Sequence, residues 1–241
     1  MRFNIAVAIK DEIEEKIGIY LNSKYEISNG HSIPEKSDIA FGPKAKKLAH
    51  VIVLYADLRG SRDLLSKHSA LIAARAHKAF LYACSKCIRK HGGHLRSFNG
   101  DSVLAFFEGE DAAKRAVKAA MQTKCAVSTI LNPKLEAKNF AKIDFGIGIG
   151  QGEVLVVKSG VPGNELHQDL IWIGWPTYHA FEYGDKANSP NNIWISNNIF
   201  NAIKEDENMR YSNGKAMWSY SDESFSFGSV RVYKTTYYWN L

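Results

Sequence analysis

The run Val51-Ile52-Val53-Leu54-Tyr55-Ala56 constrains the fold more than any other stretch of this chain. Residues 50–57 offer no polar face to water, so they read as a strand buried on both sides and central in its sheet. The run ends in Asp57 and the tight basic turn Leu58-Arg59-Gly60-Ser61-Arg62. A second aspartate, Asp101, follows Asn99-Gly100 and opens the apolar run Ser102–Phe107. Asn-Gly between extended segments signals a hairpin, because both turn residues tolerate positive φ. The two aspartates are therefore expected at the tips of strands.

The remaining elements are legible from periodicity. A helix is expected over 63–90, with Ile72, Ala76, Ala79, Ala83 and Cys87 on one stripe and Gly92-Gly93 as its stop. A second helix is expected over 110–130, with Ala113, Ala116, Val117, Ala120 and Met121 inward, ended by Asn132-Pro133. Strands at 143–149 and 153–157 read as a hairpin-like pair joined through Gly150-Gln151-Gly152. Leu170–Ile173 and Asn192–Ser196 read as strands, 176–187 as a helix, and Val230–Trp239 as a β run. Upstream, Ile9, Ile13, Ile17, Tyr20 and Leu21 recur at helical spacing, and 28–43 reads as an irregular connector. The order gives an α/β or α+β domain over 49–205, with extensions at 1–48 and 206–241.

Bulk composition narrows the function classes. The 241 residues are 45% apolar and 23% charged, ordinary for a globular protein. No apolar run approaches the roughly 20 residues that span a bilayer, and Met1-Arg2-Phe3-Asn4 does not open a signal peptide. Three cysteines make no disulfide framework and agree with a reducing, cytoplasmic setting. The net charge of +6 suits either attraction to polyanions or a mildly basic surface, its densest cluster being Lys44, Lys46 and Lys47. A zinc site at Cys84, Cys87, His91 and His94 is disfavoured, since both cysteines fall inside the expected helix. The RNP aromatic signature is absent, so no stable nucleic-acid partner is expected.

The aspartates carry the chemistry. Ions that assist phosphoryl transfer need hard oxygen ligands and open positions for phosphate. Asp57 and Asp101 supply carboxylates if their strands are neighbours, and the Leu58 carbonyl adds a neutral oxygen. Gly60 lets the backbone approach a phosphate, the helix that follows presents its amides, and Arg59 and Arg62 add charge-assisted bonds. Taken singly, Asp57 is equally a strand-end or N-cap residue, and Asp101 the residue after a turn.

Taken together, these motifs resemble the class III nucleotidyl cyclases, the adenylate and guanylate cyclase catalytic domain. Tyr55-Ala56-Asp57-Leu58-Arg59-Gly60-Ser61-Arg62 stands where that family has Phe-x-Asp-Ile-x-Gly-Phe-Thr. Gly100-Asp101 before an apolar strand matches the second motif, and Gly146–Val154 loosely matches a third. The resemblance covers about 45–205. It implies a ferredoxin-like βαββαβ core, an α+β fold, and a head-to-tail homodimer with two shared sites. It also implies two divalent cations, Mn²⁺ or Mg²⁺, at Asp57, Leu58 and Asp101.

Departures from the family refine the expectation. Ser97 stands where adenine enzymes carry Lys and guanine enzymes Glu, and Ile171 where adenine enzymes carry Asp. Tyr178 and Glu182 replace the family's transition-state Asn and Arg, leaving Arg59, Arg62 or Arg96 as candidate substitutes. The loss of the purine code, with Tyr-Ala-Asp-Leu-Arg-Gly-Ser and the tail Val232–Trp239, resembles the Pycsar pyrimidine cyclases of bacterial antiphage defence. That resemblance implies cyclisation of UTP, or second CTP, to a 3′,5′-cyclic monophosphate read by a separate effector. The implied nucleotide contacts are Tyr55, Arg59, Gly60, Ser61, Arg62, Arg96, Ser97, Ile171 and Tyr178. Asp57, Asp101 and Arg62 would be catalytic, while Tyr55 could equally be a core aromatic. The alternatives are a conventional adenylate or guanylate cyclase and a catalytically silent nucleotide-binding regulator.

Overall fold

The computed structural model describes residues 2–241, with side chains from Ile9 onward. The chain divides into two units, residues 1–48 with 155–172, and residues 49–154 with 173–241. In the smaller unit, α1 (Arg2–Asn22) precedes β1 (Glu26–Gly30), which runs parallel to the first residues of β2 (Lys44–Arg59). The segment 28–43 therefore opens as a paired strand before becoming irregular. Among the described residues, no helix is long and apolar enough to cross a membrane.

From β2 the chain continues into α2 (Ser61–Lys67), α3 (Ala70–Lys90), β3 (His94–Asn99), β4 (Ser102–Phe107), α4 (Ala112–Cys125), α5 (Asn132–Glu136) and β5 (Asp144–Gly160), whose residues from Leu155 on belong to the smaller unit. After β6 (Gln168–Ile173) come α6 (Trp175–Lys186), β7 (Ile193–Ser196), α7 (Asn197–Ile203), α8 (Glu207–Arg210), β8 (Tyr211–Ser212) and β9 (Lys215–Ala216). The chain closes with β10 (Ser219–Phe225) and β11 (Gly228–Thr235). The sheet runs β10-β11-β7-β5-β2-β4-β3. Its β5-β2-β4-β3 half, with α3 and α4 as crossovers, is the βαββαβ arrangement expected from the sequence. The α+β class and the central position of β2 are therefore observed.

Side-chain alternation builds the two layers. Leu54 and Ala56 of β2, Val103, Ala105 and Phe107 of β4, and Ile147 and Ile149 of β5 share one core with α3 and α4. On α3 the buried stripe is Ala73, Ala76, Phe80, Cys84, Cys87 and Ile88. This corrects the expected stripe, which took small residues and passed over Phe80 and Ile88, the large apolar groups that set the helix's rotation. Ala79 and Ala83 instead line an apolar groove with Tyr82 and Ile130. On α4 the expected inward residues are all buried.

Three further expectations are corrected. The helix over 63–90 is two, because His68 and Ser69 are extended and the His68 ring accepts a bond from the Ala141 amide. Asn132-Pro133 does not end the second helix. A π-helical stretch at Ala126–Leu131 leads into α5, and Pro133 falls in its first turn, where no amide is needed. Finally, β5 is one continuous strand rather than a pair about Gly150-Gln151-Gly152. Gly146, Gly148 and Gly150 recur on one face of that strand because α6 lies directly on it. A Cβ at Gly148 would sit 2.0 Å from the Ala180 carbonyl oxygen and 2.4 Å from the Gly184 nitrogen.

Candidate active site

The site grows from the end of β2. Ala56 and Leu58 turn into the core, so Tyr55, Asp57 and Arg59 share the opposite face. Antiparallel pairing sets Asp57 opposite Ser102, which places Asp101 of the β3–β4 turn beside it. Gly100 takes φ +62°, and Gly60, where β2 gives way to α2, takes φ +69°; both glycines supply the left-handed conformation their turns require.

The two carboxylates act on each other. Burial first, and the neighbouring Asp101 charge second, push the Asp57 carboxyl up from 3.8 to about 6. Arg59 opposes this rise from 3.5 Å, while Asp185 adds to it. The carboxylates of Asp101 and Asp185 outweigh the Arg59 guanidinium at Asp57, since its carboxyl stays raised. The donor set is hard oxygen, and among the described residues no group of three or more His, Cys, Asp or Glu gathers to hold a metal unaided. Two carboxylates offer the hard-oxygen donor chemistry that suits an Mg²⁺- or Mn²⁺-type ion.

The other sequence candidates fall into distinct settings. Arg59, expected to meet phosphate, turns toward α6. Its Nε donates to the Ala187 carbonyl at 3.2 Å, its Nη2 to the Gly184 carbonyl, and its Nη1 lies 3.7 Å from Asp185. It thereby ties the tip of β2 to the end of α6. Tyr55 packs edge-on against Phe181 at 4.7 Å and over Gly184, while Ser102 Oγ donates to the Asn99 carbonyl at 2.9 Å. Burial raises the Tyr55 phenol above 10.0. Ser61 and Arg62 open α2, with Arg62 exposed. Arg96 sits at a bulge in β3, between Leu95 and Ser97, and donates to the Leu95 carbonyl.

Tyr178 lies in the first turn of α6, half exposed and 6.3 Å from the Trp175 ring. Ile171, in the smaller unit, is exposed on β6. The structure thus gathers Tyr55, Asp57, Leu58, Arg59 and Asp101 at one strand tip. Residues not anticipated there are His77, Ser102, Asp185 and the carbonyls of Gly184 and Ala187. Asp185 and the carbonyls belong to the end of a helix remote in sequence, and no motif flags them. Ser102 was foreseeable, because the residue after a hairpin aspartate must face the partner strand.

No protein-family model matches this chain. Its curated relatives include a "Uridylate cyclase" from Burkholderia cepacia, 28% identical over 98% of this chain and all of the relative. Another "Uridylate cyclase", from Xanthomonas perforans, is 29% identical over the same shares. A Staphylococcus aureus "Cytidylate cyclase" is 30% identical over 62% of this chain and 36% of its own. Among solved structures, the adenylyl cyclase CyaB from P. aeruginosa superposes with a TM-score of 0.65 at 21% identity, covering 79% of this chain and 95% of that one. The guanylyl cyclase Cya2 gives a TM-score of 0.65 at 20% identity, covering 79% and 93%. The fold is that of the class III cyclase catalytic domains, and the sequence resembles pyrimidine cyclases from end to end.

Proposed function

We propose that this protein, a nucleotidyl cyclase of class III fold, converts a pyrimidine nucleoside triphosphate to its 3′,5′-cyclic monophosphate and pyrophosphate. UTP is the favoured substrate and CTP the second. The observation that carries this reading is the pair Asp57 and Asp101, two carboxylates at adjacent strand tips in a chain alike over its full length to curated uridylate cyclases. Their mutual repulsion supports a cation between them.

The reaction is an in-line attack of the ribose 3′-oxygen on the α-phosphorus, with pyrophosphate leaving opposite. Two divalent ions, Mn²⁺ or Mg²⁺, would lower the pKa of the 3′-hydroxyl and neutralise the leaving group. Asp57, Asp101 and the Leu58 carbonyl would hold them. Arg59 fixes the tip of β2 from α6, so its contribution is alignment of Asp57. Arg62 and Arg96 are the cations proposed to meet phosphate, with Gly60 and Ser61 admitting it to the turn. Ser97 would bond the base, and Tyr55 would border its pocket.

The opposite wall, the segment containing Ile171 and Tyr178, would come from a second copy in a head-to-tail homodimer. Ile173, Trp175 and Tyr178 are exposed large apolar groups, which supports a covered surface there. Catalysis is assigned to residues 49–205, with 1–48 and 206–241 as extensions. The cyclic product would act as an antiphage signal on a separate cyclic-nucleotide-responsive effector.

The test is incubation with each of the four ribonucleoside triphosphates and Mn²⁺, with products read by mass. Cyclic UMP, or cyclic CMP, should form far faster than either purine product. A site whose buried groups bond one base rejects others by up to about 10⁴–10⁵. Comparable turnover of ATP or GTP would identify a conventional purine cyclase, and no cyclic product from any of the four would identify a silent nucleotide-binding regulator.

A further inference from the structure

His77 stands on α3, one residue after the fully buried Ala76 and three before Phe80, which lock that helix onto the sheet. Its side chain is three-quarters buried and reaches the β3–β4 turn. The Nε2 atom is shut off from solvent, has no hydrogen-bond partner among the described residues, and lies 3.8 Å from Oδ2 of Asp101. A buried ring nitrogen without a partner is costly, so a group held in that state calls for an explanation. At 3.8 Å, a shift of less than 1 Å by the Asp101 carboxylate completes an N–H···O bond.

The arrangement has a counterpart at the other aspartate. Asp57 has a basic neighbour in Arg59, whose Nη1 lies 3.5 Å from Oδ2. Asp101 has His77 on the helical side. A carboxylate that binds an ion through one oxygen keeps its plane only if something bonds the other, and groups behind the ligands commonly supply that bond.

We infer that His77 is a positioning residue for Asp101: its Nε2–H donates to Oδ2 and turns the other carboxylate oxygen toward the ion site. This rests on the reading of Asp101 as an ion ligand, and it adds a residue outside the motifs that carried the sequence argument. The role needs a donor at the position of Nε2 and a rigid helix behind it. A glutamine at this position, whose amide nitrogen reaches about as far as Nε2, should serve in place of histidine.

The experiment is Mn²⁺ binding, with free Mn²⁺ followed by electron paramagnetic resonance, on the wild type, His77→Ala, His77→Gln and Asp101→Asn. Circular dichroism checks that each variant is folded. His77→Ala should weaken Mn²⁺ binding about 10–100-fold, the size typical of losing a group behind a metal ligand. His77→Gln should recover most of that loss. In turnover assays the change should appear chiefly in the Mn²⁺ concentration for half-maximal rate, less in the rate at saturating Mn²⁺. A purely structural role would lower stability without this selective shift. Folded His77→Ala that binds Mn²⁺ as the wild type does overturns the inference and leaves the cyclase reading standing. Equal weakening in the Ala and Gln variants also overturns it. Wild-type protein whose Mn²⁺ binding is unaffected by Asp101→Asn overturns the ion site and the positioning role together.

Discussion

Asp57 shows what a half-buried carboxylate costs. Its pKa lies above the value of 3.8 for a free side chain, so the folded state holds the proton more tightly than the unfolded state between pH 3.8 and about 6. Stability from this group is present below pH 3.8 and is lost as pH rises through about 6. Above that, the metal-free fold carries a repelled, partly buried charge. The rise to about 6 corresponds, at about 1.4 kcal/mol per unit, to a ceiling of about 3 kcal/mol. Partial solvent access reduces this to about 1–2 kcal/mol. Asp57→Asn should therefore raise the melting temperature of the metal-free protein at pH 7.5, with the gain shrinking as pH falls toward 4. The same substitution, like Asp101→Asn, should lower cyclase turnover by at least about 10²–10³, the cost of losing one preorganised charge-stabilising group. Thermal melts across pH, paired with product assays, check both. A destabilised Asp57→Asn would make Asp57 a structural cap instead. Asp57 and Asp101 were legible in the sequence because each ends or opens an apolar run. His77 and Asp185 were not, because each meets the aspartates only through tertiary packing.

At the scale of elements, the glycines of β5 explain how α6 reaches the site. Gly146, Gly148 and Gly150 leave the strand without side chains on one face, and carbonyls of α6 and of its C-terminal end occupy the space. That close approach lets the Gly184 and Ala187 carbonyls receive Arg59. Gly148→Ala should cost about 1–3 kcal/mol or more, because the obstructing atoms are backbone and cannot rotate away. Urea denaturation measures the loss, and turnover should fall with it as the Arg59 anchor shifts. Unchanged stability would mean that α6 does not rest on β5. Local signals found the hairpin, the strand β2, the inward face of α4 and the approximate positions of α6 and β7. They misread the Gly-Gln-Gly segment as a turn, since glycine needed for helix contact and glycine needed for a turn are the same residue. They also missed the π-helical stretch at Ala126–Leu131.

For the whole molecule, the order of β2, α3, β3, β4, α4 and β5 was readable because each element carries its own period or turn chemistry. The partner of the tail strand was less so. Val230–Trp239 reads as a β run, of which the strand keeps only the part up to Thr235, and its neighbour β10, Ser219–Phe225, is polar and aromatic with no clean alternation. Completion of the site by a second copy is a claim about two molecules. In the proposed head-to-tail dimer, each site would take Asp57 and Asp101 from one chain and the segment around Tyr178 and Glu182 from the other. The direct measurement mixes two chains that are inactive alone, Asp57→Ala and a double variant with Tyr178→Ala and Glu182→Ala, and assays cyclic UMP after heterodimers form. Each heterodimer then contains one intact site, so the mixture should recover activity, up to about half the wild-type rate per heterodimer. A mixture that forms heterodimers yet makes no cyclic product, or an Asp57→Ala chain active by itself, would contradict the two-carboxylate shared site.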